Sequence, residues 1–267
     1  MFKLDDLMEV YNTHDSATLA LVNEYRQSLD FIEQIPDIVL DKIIDLPPYY
    51  KDKRTTKQLL ENMLIAWCSE DLFQLWFTKQ SQMVFPISLL IKNGTDRGRE
   101  ILQHKQIMAV PDFRFIFLKD GKLYSVFIEY QQAFVENYEI KQNKIKRNTQ
   151  ELLPNGLSNT IYFYLSIPRK QYFFLNAAYC LDKQVVSSVS KGDKKVYQIA
   201  DNEIEKYLGG FKQLNGITQD FVELIEKSAA DITEHRELVL STELFSHQRF
   251  IESIKEKIKD VNTVEIE

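Results

Sequence analysis

The chain has 267 residues, 44% hydrophobic and 27% charged, with only eight glycines and seven prolines. That composition excludes a disordered or fibrous protein and fits one large domain, or one domain with a helical extension. A net charge of −6 and a pI near 5.4 do not advertise a polyanion partner, although a local basic patch matters more than the total. Two cysteines, Cys68 and Cys180, lie far apart in apolar surroundings. They are too few for a disulfide framework and read as buried reduced thiols. The segment "MFKLDDLMEVYN" is acidic and has no long apolar core, and no apolar run reaches 18 residues. Neither a signal peptide nor a membrane-spanning helix is expected, so the reading is a cytoplasmic protein.

Residues 1 to about 80 read as helical. In "HDSATLALVNEYRQSLDFIEQI", Leu19, Leu21, Val22, Tyr25, Leu29 and Ile32 recur at helical spacing behind a cap at Asp15 or Ser16. After a turn at "LPPYYKDKR", Thr55 or Thr56 opens a long helix, "KQLLENMLIAWCSEDLFQLWFTKQ". Its Trp67, Phe73, Trp76 and Phe77 lie at helical spacing, which marks a core stripe rather than a ligand box.

The texture changes after residue 80. "MVFPISLLIKNG" (83–94) holds a strand over 84–92, and "DRGREILQHKQI" is a short helix or loop. Apolar and β-branched runs at 113–118, 123–130, 160–167 and 171–180, then "QVVSSVS" and "KVYQIA", read as strands. One polar helix, 136–153, interrupts them, with Tyr138, Ile145 and Leu152 on one apolar line. From Asp201, read as a helix cap, the chain turns helical again, with Gly209–Gly210 as a stop and two amphipathic segments beyond. The expected fold class is α/β (α+β): a central mixed sheet with an antiparallel meander, flanked by helices. The division is a helical extension at 1–54, an α/β core at 55–200 and a helical region at 201–267.

Chemistry concentrates in "DFRFIFLKDGKLYSVFIEYQ" (112–131). Its Asp120–Gly121 pair favours a two-residue type I′ turn, because both positions need positive φ. Opposed residues then sum to 241, ending with Asp112 beside Glu129, at a Cβ separation of about 4.5–5.5 Å. Gln131 shares the face of Glu129, since strand side chains alternate. Both faces of the hairpin are otherwise apolar, the pattern of a covered sheet. Either the acids sit at a solvated, frayed end, or something offsets their repulsion. A hard divalent cation held by carboxylate and carbonyl oxygens is the usual solution.

"PD" (Pro111, Asp112) and, 17 positions after Asp112, "EYQ" (Glu129–Gln131) on the next strand resemble the PD-(D/E)XK nuclease superfamily. The resemblance covers roughly residues 55 to 180, with 56–78 as the first core helix, 84–92 and the hairpin as the meander, 136–153 as the second helix and 160–167 as the fourth strand. It implies that Asp112, Glu129 and the Tyr130 carbonyl hold Mg²⁺, with Mn²⁺ as a substitute. The ion would polarise the scissile phosphate and lower the pKa of an attacking water. Gln131 stands where the family usually has lysine. It can orient a water but carries no charge, so Lys141 or Lys144 is expected to replace it.

Lys141, Lys144, Lys146 and Arg147 on the polar helix, and Arg97 and Arg99 in "KNGTDRGRE", are the candidate phosphate contacts. The four histidines are isolated, and no GxxxxGK[ST], GxGxxG or GxSxG motif occurs. The resemblance thus implies a metal-dependent endonuclease acting on DNA, in its most specific form like a type II restriction endonuclease. Its terminal helices would supply homodimer or sequence contacts. One alternative is an inert DNA-binding protein on the same scaffold, since the acids and the basic helix also resemble replication-relaxation proteins of plasmids and conjugative elements. Another is a protein-interaction module whose acids are surface residues.

Overall fold

The turn at Asp120–Gly121 closes with φ of 51° and 76°, the two positive values that a type I′ turn demands. Every pair of the ladder behind it, from Lys119↔Lys122 to Phe113↔Ile128, keeps the sum of 241. The register of the hairpin is therefore dictated by one dipeptide.

The computed structural model describes residues 4–11, 15–44, 54–93, 110–188, 194–232 and 246–264. Helices α1 (Leu4–Tyr11), α2 (Ser16–Gln34) and α3 (Asp37–Ile43) precede the long α4 (Thr56–Ser81). Strands β1 (Ser88–Lys92), β2 (Phe113–Lys119), β3 (Lys122–Ala133) and β4 (Tyr138–Lys141) follow, then α5 (Gln142–Asn148), β5 (Thr160–Ser166) and β6 (Gln171–Asn176). Next come β7 (Val185–Ser188), β8 (Lys194–Ile199), α6 (Asp201–Tyr207), β9 (Lys212–Gln213), α7 (Gln219–Ser228), β10 (Ala230–Asp231) and α8 (His247–Val264). The main sheet runs β1-β2-β3-β5-β6-β9, with β10 added to β3, and β3–β5 is its one parallel pairing among the described strands. The fold is of the α/β class, with a mixed sheet and helices at both ends of the chain. Among the described residues no helix is long and apolar enough to cross a membrane.

Helix α4 is the hub. Thr55 and Gln58 close a capping box at its start, so two orphan N–H groups are satisfied where the chain enters the core. Its buried residues surround the axis, as expected of a helix packed on both sides. α1, α2 and α3 lie against it, and on the sheet side Phe73 meets the rings of Phe113, Tyr130 and Phe163 at 5.2, 4.9 and 4.7 Å. Trp67, Trp76 and Phe77 are buried as well. The aromatic stripe is core, and each such ring stabilises by about 2–3 kcal/mol through burial.

The opposite face of β5 and β6 is covered by a second sheet, β4-β8-β7, with α5. Here the single helix expected over 136–153 is corrected. Tyr138–Lys141 is a strand paired with Val196–Ile199, and only Gln142–Asn148 is helical. Tyr138 donates to or accepts from Ser166 Oγ at 2.9 Å, and Tyr164 donates to the Glu139 carbonyl at 2.8 Å. These non-local bonds override the helical spacing, and Leu152, the third member of the apolar line, is 45% exposed. A smaller correction concerns Asp201, which is the first residue of α6 rather than its cap. Both cysteines are buried, and neither is in a disulfide.

Candidate active site

The candidate site forms where β2 runs out. One step beyond Phe113↔Ile128, Asp112 stands beside Glu129, and the Asp112 carboxylate (Oδ2) accepts the backbone N–H of Tyr130 at 2.8 Å. In a regular ladder Tyr130 would exchange both its backbone bonds with the residue opposite it. That residue, by the same register, is Pro111, which has no N–H to give. Pro111 thus cannot continue the ladder at Tyr130, whose N–H turns to the Asp112 carboxylate instead. The tyrosine ring points the other way, into the core, where its hydroxyl shares hydrogen bonds with Ser69 Oγ (2.6 Å) and Tyr11 Oη (3.0 Å).

Glu129 is 1% exposed. Its Oε1 accepts from Gln131 Nε2 at 2.9 Å and forms an ion pair with Lys144 Nζ. Parallel pairing of β3 and β5 explains why Lys144 is there, because such a pair requires a crossover. The crossover carries α5 back over the sheet, and Lys144 lies in its first turn. Gln131 therefore supplies a hydrogen bond and Lys144 the positive charge. Lys141, the other candidate for that charge, lies in β4 opposite Val196. Lys146 and Arg147 are exposed on α5. Arg97 and Arg99 lie outside the described residues, as do His14, His104 and His235.

Burial, followed by the charges of Glu129 and Glu70, holds the Asp112 carboxyl well above its ordinary range, against the pull of Lys144 and the Tyr130 N–H. Burial also raises Glu129, opposed by Lys144 and Gln131 and reinforced by Glu70. For Lys144, burial disfavours the ammonium, but Glu129, Asp112 and Glu70 together keep it above its usual value. Glu70, half-buried on α4 directly after Ser69, is the member that sequence reading missed. The available signal was a polar pair, Ser69–Glu70, inside an otherwise apolar central helix.

Among the described residues no three His, Cys, Asp or Glu side chains form a ready metal cage. The oxygen groups that could serve a cation here are two carboxylates, Asp112 and Glu129, with the Tyr130 carbonyl as the candidate third. Such a set fits Mg²⁺, which keeps several waters and shares its remaining positions with substrate phosphate, better than it fits a fully protein-ligated ion. His247 offers no competing site: it is buried and stacked on Tyr25 at 3.9 Å. A cavity of about 580 Å³ lined by Tyr179, Tyr207 and Asp220 lies apart from the acids.

No family model matches the chain, and no curated protein matches it.

Proposed function

We propose that this chain is a Mg²⁺-dependent nuclease of the PD-(D/E)XK type that cuts DNA, built like a type II restriction endonuclease. The observation that carries the reading is the ion pair between Lys144 and Glu129, next to Asp112. Lys144, from the following helix, would take the part of the lysine missing from the "EYQ" strand. When bound, Mg²⁺ would supply Lewis-acid activation of the phosphate and of the attacking water.

The remaining work falls to the protein's own groups. Asp112, Glu129 and the Tyr130 carbonyl present oxygen to the cation. Lys144, anchored on Glu129, places a fixed positive charge where negative charge develops on the phosphate, in a partly dry site that strengthens its effect. Gln131 fixes the orientation of Glu129 through its amide N–H. The exposed Lys146 and Arg147 are suited to flanking phosphates. Buried cysteines outside any disulfide suit a cytoplasmic setting, and the terminal helices offer surfaces for a homodimer.

The test is incubation of purified protein with plasmid and genomic DNA, with Mg²⁺, with Mn²⁺ and with chelator. Nicked or linear plasmid is expected only with metal, and Asp112→Asn should remove the activity. Binding without any cleavage would assign the chain to the inert DNA-binding class instead.

A further inference from the structure

Two residues along from Asp112 stands Arg114, opposite Phe127 and flanked by Ile91 of β1. Alternation puts it on the face that carries the acids, about 7 Å further along the strand. The second sheet covers the β5–β6 half of this face. The β1–β2 half is more open: Arg114, Ile91 and Phe127 are half-buried and Leu89 is 52% exposed.

The guanidinium is held but not neutralised. Nη2 donates to Ser125 Oγ at 3.2 Å, and the guanidinium carbon lies 5.6 Å from the Phe127 ring centre. Nε is buried without a hydrogen-bond partner, and Arg114 makes no salt bridge among the described residues. Burial alone pulls its pKa down. A guanidinium kept for packing is normally paired, because desolvating an unpaired charge is costly. Its planar fork is well matched to a phosphate.

We infer that Arg114 binds the nucleic-acid phosphate next to the one that sits at Asp112 and Glu129. The spacing of alternate residues on a strand is comparable with that of successive phosphates along one nucleic-acid strand. The apolar floor of Phe127, Ile91 and Leu89 leaves the phosphate as the charged group that this position can recognise. Arg114 then fixes which phosphodiester reaches the acids, so it is a positioning residue rather than a catalytic one. The inference rests on the nucleic-acid reading above.

Its test is duplex-DNA binding as a function of salt, in the Asp112→Asn background so that no strand is cut. Arg114→Met, which keeps the aliphatic stem against Phe127, should weaken binding about tenfold, the worth of one charge-assisted hydrogen bond. It should also reduce the slope of log K against log salt by about 0.9, the share of one phosphate contact. Arg114→Lys should keep the slope but lose affinity, because the fork is gone. A thermal melt establishes that each variant folds, and if Arg114→Met does not, Arg114→Lys decides. Unchanged affinity in the folded variants, with the parent still binding DNA, overturns the Arg114 subsite alone. A parent that binds no DNA overturns the nucleic-acid reading itself.

Discussion

Lys144→Met should lower the stability of the protein by about 2–3 kcal/mol at pH 8 and, on the proposed nuclease reading, abolish cleavage. Removing one partner of a buried ion pair typically costs about 3–5 kcal/mol, because it strands the other charge. Glu129 is that stranded charge, at 1% exposure with Asp112 and Glu70 nearby. Two features reduce the cost: the Lys144 side chain is 26% exposed, and Glu129 can take up a proton. The second feature gives the pH dependence. Without Lys144 the Glu129 pKa rises further, so the deficit is largest at high pH and shrinks as pH falls and the carboxyl becomes neutral. Adding Glu129→Gln to Lys144→Met should recover most of the lost stability, since contacting residues are not additive. Urea unfolding of the single and double variants at two pH values checks this. A Lys144→Met protein as stable as wild type at pH 8 would mean that the ion pair does not hold in solution.

Asp112→Asn gives the second large effect, with the opposite sign. In chelator at pH 8 the variant should be more stable than wild type, by about 1 kcal/mol. Two carboxylates about 5 Å apart at an effective dielectric near 20 repel by roughly 3 kcal/mol, an upper figure that proton uptake reduces. Asparagine removes one charge and can still accept the Tyr130 N–H. The sign follows from linkage. The folded pKa of Asp112 lies above the ordinary carboxylate value of about 3.9, so folding favours the protonated form. Its contribution is fully present below the unfolded pKa and is lost as pH rises through the raised folded value. The advantage of Asp112→Asn should accordingly be clear at pH 8 and vanish towards pH 4. A variant that is less stable at both pH values would make Asp112 a structural hydrogen-bond acceptor and nothing more.

Much of this site was legible because its rules are local. Asp120–Gly121 sets the register, alternation places Gln131 beside Glu129, and Thr55 with the apolar run after it sets α4. The second helix was misread for a non-local reason. Tyr138, Ile145 and Leu152 keep a helical period, but Tyr138–Lys141 finds its partners in β8, more than 50 residues later. With the helix starting at Gln142 rather than 136, Lys144 falls in its first turn and pairs with Glu129, while Lys141 lies in β4. Glu70 and Arg114 carry no motif. Glu70 bears on the charge of the acids because α4 packs against β3 at Ser69 and Tyr130, and the missing partner of Arg114 is visible only in three dimensions.

The central claim is that Asp112, Glu129 and the Tyr130 carbonyl together take one divalent cation. Titration of the metal-free protein with Mn²⁺, followed by calorimetry, tests it most directly. The account predicts one Mn²⁺ per chain in wild type, competed by Mg²⁺, and loss of that binding in Asp112→Asn. Equal binding by wild type and Asp112→Asn, or none by either, would contradict it.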